Sequence, residues 1–140
     1  MAATAGYSST PLAKKIGIKE GFVIRLVNAP KDYFALFTDW PDDVRIRKNE
    51  AVKKDLIHFF TTKAEELFSQ LPKLKNEIKE NGMVWVSWPK KAAKLQTDMT
   101  EDVIRDFALR IGLVDVKVCA VDATWSGLKL VIPVAERKKI

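Results

Sequence analysis

The sequence predicts a single Rossmann-like α/β domain: a mainly parallel sheet with helices on both faces and a C-terminal antiparallel hairpin strand. Three observations predict it. Short apolar runs alternate with segments of helical period, an order that favours parallel strands joined by crossovers. The runs DLIHFFT at 55–61 and MVWVSW at 83–88 are apolar almost throughout, as strands covered on both faces are. The last two runs, 114–122 and 128–134, are separated only by Ala123-Thr124-Trp125-Ser126-Gly127. That loop is too short for a parallel crossover, so they pair antiparallel. At 140 residues the chain fits one domain, 1–140, with a real core.

Each element has its own signal. Residues 1–10 are small and polar and read as a flexible lead-in. Thr10-Pro11 is an N-cap and first-turn proline opening a short helix that Gly17 or Gly21 ends. FVIRLVN at 22–28 is a strand that stops at Asn28-Ala29-Pro30. Lys31–Phe37 is a short helical segment, Trp40-Pro41-Asp42-Asp43 a turn, and Val44–Lys48 a brief strand of alternating pattern. From Lys63 to Asn81 the period becomes helical, with Ala64, Leu67, Leu71, Leu74 and Ile78 on one stripe; Pro72 interrupts it and Asn81-Gly82 stops it. Thr100–Ile111 is the next helix, with Asp98 and Thr100 as candidate N-caps and Asp98 with Glu101 as a candidate capping box. Gly112 closes it, and 135–140 form an exposed tail.

Composition narrows the function classes. No apolar run approaches the roughly 20 residues of a membrane-spanning helix. The N-terminus has neither the basic nor the apolar region of a secretory signal. Cys119 is the one cysteine, so no internal disulfide exists, and a reducing cytoplasm is the expected setting. With a single histidine besides, a metal centre has little to build on. The formal charge is +6 and the pI about 9.4, which favours an anionic partner. The lysines and arginines are scattered among acids, which argues against nucleic acid and for a solvated surface.

Three segments, TPLAKKIGI at 10–18, WPKKAAKLQTDMTEDVIR at 88–105 and LVDVKVCAVDATWSGLKLV at 113–131, resemble a small bacterial domain family of unknown function. The arrangement of elements also resembles the later half of the methyltransferase-like Rossmann fold. These resemblances imply a fold and a bacterial cytoplasmic setting, and no reaction. Cofactor-binding methyltransferases place a glycine-rich turn after the first strand. Here that turn is Asn28-Ala29-Pro30-Lys31, and Arg47 and Lys48 stand where a ribose-binding acid is expected. The departure argues against S-adenosylmethionine in the usual mode, and no other cofactor is implied.

In an open α/β sheet, ligands bind outside the carboxyl ends of the strands. That rule gathers Asn28, Trp88, Lys90, Lys91, Asp98, Thr100, Asp122, Trp125 and Ser126 as candidate ligand-binding residues. The lysines and the helix start near Thr100 suit a small anion, and Trp88 with Trp125 suits a stacking wall. No catalytic set emerges. His58 sits mid-strand as a core histidine, Asp122 ties its own loop, and Cys119 is a buried thiol. The expected function is a non-catalytic module for a small anionic ligand. The alternatives are a protein-interaction domain with a discrete partner or a homodimer through an edge strand, nucleic-acid binding, and residual methyl transfer.

Overall fold

Six strands, β1 (Val23–Val27), β2 (Arg45–Ile46), β3 (Lys54–Phe60), β4 (Ile78–Pro89), β5 (Val114–Ala120) and β6 (Trp125–Val131), form one sheet in the order β2-β1-β3-β4-β6-β5. The first four are parallel, and β6 runs antiparallel between β4 and β5. The helices are α1 (Leu12–Ile16), α2 (Ala64–Lys75) and α3 (Glu101–Arg110). This computed structural model describes residues 10–137. The predicted lead-in lies outside the described residues except for Thr10, as do residues 138–140 of the predicted tail.

Side chains alternate across a strand, so each buried strand feeds two cores. Ile57, Phe59, Val84, Val86, Leu128 and Leu130 meet α2 and α3 on one face. Leu56, Trp85 and Cys119 meet α1 on the other, where Phe37 and Trp40 of the β1–β2 connection complete the cover. The predicted fold class is the observed one, with a thinner second layer: one short helix and an aromatic loop stand where a long helix would.

Three local expectations are corrected. The helix predicted to Asn81 ends at Lys75, and β4 begins at Ile78 rather than Met83. Pairing with β3 decides this. Lys54 N donates to Glu77 O at 2.8 Å and Lys54 lies opposite Ile78, so Ile78 leaves the helical stripe for the sheet. Pro72 is accommodated inside α2. Gly82 is required where β4 rejoins its register, because a Cβ there would lie 2.9 Å from Lys54 O.

The β5–β6 turn is also tighter than predicted. Asp122 Oδ1 accepts from Thr124 N at 2.8 Å and Trp125 N at 2.7 Å, which lets β6 start at Trp125. Asp122 therefore has the loop-tying role expected of it.

Caps form the third correction. The α1 N-cap position is Pro11, and Asp39 Oδ1 and Oδ2 accept from Ala13 N and Lys14 N, each at 3.0 Å. Gly17, at φ 92°, closes α1 as predicted. Thr100 Oγ1 caps α3 by accepting from Val103 N at 3.1 Å. The Asp98–Glu101 capping box does not form: Asp98 Oδ1 instead accepts from Ala64 N at 2.8 Å, at the start of α2. Thr100→Ala and Asp98→Ala should each cost about 1 kcal/mol, read as a lower urea midpoint at unchanged slope. An unmoved midpoint in either variant would remove that cap from the account.

Candidate functional site

The ligand crevice of such a sheet lies where strand order reverses, because the connections there leave on opposite faces. In this chain the reversal falls between β1 and β3. The β1–β2 connection packs Phe37 and Trp40 on one face, and α2 follows β3 on the other.

That crevice is bridged by the protein's own groups. Asn28, at φ 59°, turns the chain at the end of β1, and its Nδ2 donates to Phe60 O at 3.1 Å and to Glu66 Oε2 at 3.0 Å. Glu66 Oε1 accepts from Thr61 Oγ1 at 2.6 Å. A carboxylate from the first turn of α2 thus ties the exits of β1 and β3 together. Sequence reasoning named Asn28 here and missed Glu66. The available signal was an acid in a helix's first turn directly after a strand exit.

The remaining candidates are divided between the two faces of the sheet. Trp88 is opposite Ser126 and packs in the α2/α3 core, whereas Trp125 is opposite Pro89 and meets Phe60 edge-on at 5.1 Å. Adjacent register positions point to opposite faces. The two tryptophans are therefore on different sides of the sheet and form no shared stacking wall. Ser126 is half-buried on the Trp88 side, between Trp88 and Ala120. Lys90 N donates to Thr124 O at 2.8 Å, and Lys91 is exposed on the turn Lys91–Ala93. Asp98 and Thr100 are engaged at the ends of α2 and α3. Acids follow both caps, Glu65 and Glu66 in α2 and Glu101 and Asp102 in α3, so neither helix start is an open anion cradle.

A second polar group lies deeper. His58 Nδ1 is 3.0 Å from Tyr33 Oη and Nε2 is 2.7 Å from Ser87 Oγ, with Phe60 stacked on the ring at 4.2 Å. A serine bonded to a histidine supplies two parts of an activated nucleophile. All three residues are buried, which denies a substrate access to the serine. Burial lowers the His58 pKa to about 3 and raises that of Tyr33, so the ring is neutral and satisfied at both nitrogens. His58 is the core histidine the sequence predicted. Cys119 is likewise buried; burial raises its thiol pKa against the opposing pull of Lys15, Lys117 and Lys90.

Among the described residues, three surface clefts stand out elsewhere. One of about 730 Å³ sits beside the start of β4, lined by Lys53, Lys75, Lys79, Glu80 and Glu136 among others. Its lysines are committed to the frame: Lys53 Nζ donates to Asn76 O at 2.5 Å, Lys75 Nζ to Ile111 O at 2.7 Å, and Lys79 pairs with Asp55 at 3.0 Å. A second, about 430 Å³, separates α2 from α3 along Phe68 and Phe107. The third, about 420 Å³, flanks the start of α2 and includes Glu66. None of the three is lined by a candidate residue named from sequence. Among the described residues no three His, Cys, Asp or Glu side chains gather as metal ligands, and no helix is long and apolar enough to cross a membrane.

The fold is shared with methyltransferases of very low sequence identity. A putative type 11 methyltransferase from Sulfolobus solfataricus is similar over 91% of this chain and 93% of its own, with TM-score 0.60 and 14% identity. Magnesium protoporphyrin IX methyltransferase from Synechocystis PCC 6803 with bound SAH is similar over 87% of this chain and 78% of its own, with TM-score 0.56 and 10% identity. Precorrin-6y C5,15-methyltransferase from Geobacter metallireducens GS-15 is similar over 87% and 86%, with TM-score 0.58 and 8% identity. At such identities the likeness establishes the fold alone. No curated protein matches the chain in sequence. One protein family matches residues 39–134, most of the described chain, and carries the description "protein of unknown function". On that match, the chain belongs to the DUF3052 family.

Proposed function

We propose that this chain is a non-catalytic binding domain that keeps a methyltransferase-like frame and works through protein contact at the β5 edge. The observation that carries the reading is the Glu66 carboxylate, hydrogen-bonded to Thr61 and Asn28 across the reversal point of the sheet. A nucleotide-like ligand there would have to displace three internal hydrogen bonds, and the turn beneath it has no glycine to admit a close approach. Calorimetric titration with S-adenosylmethionine should therefore show no binding to the wild-type chain. Tight binding would overturn the reading.

The β5 edge supplies the contact surface. β5 is the last strand of the sheet, and Val116 and Val118 are 52% and 50% exposed. Leu109 on the neighbouring α3 is 55% exposed. An edge that no strand among the described residues pairs with, flanked by aliphatic side chains, is a template for an added strand. A second copy of the chain is the simplest donor. Sedimentation velocity should show concentration-dependent dimers that Val118→Asp abolishes, and a dimer unaffected by Val118→Asp would place the contact elsewhere.

The small-anion reading at the β4 exit retains Lys90 and Lys91, and thermal unfolding against anionic metabolites tests it. A ligand held at about 100 times its Kd adds about 2.7 kcal/mol. A shift lost in the Lys90→Ala/Lys91→Ala double variant would restore that reading ahead of the β5 edge.

A further inference from the structure

We propose that Lys117 and Lys129 bind the phosphate group of an anionic ligand on the α1 side of the β5–β6 hairpin.

Lys117 and Lys129 are directly opposite each other in register, so both ammonium stems rise from the same face. Like charges in that position destabilise a sheet. The next position in the row is Trp85 on β4, whose indole Nε1 donates to Ile16 O at 2.8 Å beneath α1. The helix roofs the tryptophan and ends at Ile16. The lysine pair continues the row beyond that roof.

Their surroundings do not neutralise them. Among the described residues, no carboxylate forms an ion pair with Lys19, Lys117 or Lys129. Lys117 Nζ donates to Lys15 O at 2.8 Å, which occupies one of an ammonium's three donors. Burial, then the positive charges of Lys117 and Lys19, lower the pKa of Lys129. A phosphate between the stems offsets the repulsion between the two positive charges. Its several oxygens accept from more than one ammonium, which a single carboxylate does less well.

This site is distinct from the β4 exit and from the aliphatic side of β5: Val118 is opposite Leu128, on the α3 face, and Lys117 is on the other. It stands or falls apart from the protein-contact reading. Two sources share the chemistry, a free phosphorylated metabolite and the backbone of a nucleic acid.

Titration at low salt with pyrophosphate and, separately, with a short single-stranded oligonucleotide tests the site. The wild-type chain should bind at least one of them, and Lys129→Met should weaken binding by about tenfold or more. Lys117→Met should do the same, which covers failure of the first variant to fold. Without ligand, Lys129→Met should unfold at a higher temperature than wild type. Oligonucleotide binding that is the tighter of the two and falls steeply with salt supports the site and assigns it to nucleic acid; pyrophosphate binding of equal strength supports it and assigns it to free phosphate. Failure of the wild-type chain to bind either probe, or binding untouched by both substitutions, overturns the proposal.

Discussion

Glu77→Gln should destabilise the protein by about 3–5 kcal/mol, because it breaks a buried ion pair from one side. Lys54 is 0% exposed and its Nζ is 2.9 Å from Glu77 Oε1. Arg25 Nη1 reaches the same carboxylate at 2.6 Å, and Lys54 Nζ also donates to Asn49 O at 2.5 Å. Glutamine keeps the shape and leaves the Lys54 charge in the core without its counter-charge. Urea unfolding would show a lower midpoint at unchanged slope, and a loss below about 1 kcal/mol would mean that the ammonium reaches water. Replacing both partners, Lys54→Met with Glu77→Leu, should recover most of the loss, since well-packed apolar pairs often equal buried ion pairs.

Acid should destabilise the protein in two separable windows. Burial holds the His58 pKa at about 3, while the unfolded chain takes its proton near pH 6.5. A depressed folded value means stability is complete above the unfolded pKa and drains away as pH falls toward the folded one. The slope is about 1.4 kcal/mol per pH unit, roughly 2 kcal/mol lost by pH 5 and about 4 kcal/mol by pH 3. Glu77 acts lower. Burial tends to raise its pKa, but hydrogen bonds from Lys54 and Arg25, with their charges, outweigh that and lower it. Its contribution is therefore present above the unfolded carboxyl value and is lost as pH falls through the folded one. His58→Gln should remove the first window and leave the second. Unfolding free energies at pH 7 and pH 5 decide it: an equal drop in wild type and variant would assign the upper window to another group.

The sequence made the frame legible wherever a pattern was local. The apolar run at 55–61 and the abrupt Asn28-Ala29-Pro30 stop needed no distant partner to interpret. The start of β4 did. Leu71, Leu74 and Ile78 continue a helical spacing, and only Lys54 on another strand pulls Ile78 into the sheet. Asp98 next to Glu101 is a sound local cap signal, but the N–H it serves belongs to Ala64, on a different helix. The site was less legible because it depends on register. A shift of one residue moves a side chain to the opposite face, so the early start of β6 put Trp125 across the sheet from Trp88. The same dependence hid the Lys117–Lys129 pair, whose members are unremarkable until they are placed side by side.

The clasp between α1 and β5 has a consequence for how the chain is made. Lys15 Nζ donates to Ala120 O at 3.1 Å and Lys117 Nζ to Lys15 O at 2.8 Å, contacts that span more than 100 residues of sequence. During synthesis α1 leaves the ribosome long before the strand it grips exists. Ala13 and Ile16 can pack on Ile24, Leu56 and Trp85 as soon as β4 exists, but the clasp itself closes only once the β5–β6 hairpin has emerged. The join between α1 and β5 is therefore among the last contacts of this face to form, and any factor that recognises the nascent protein has its longest opportunity there.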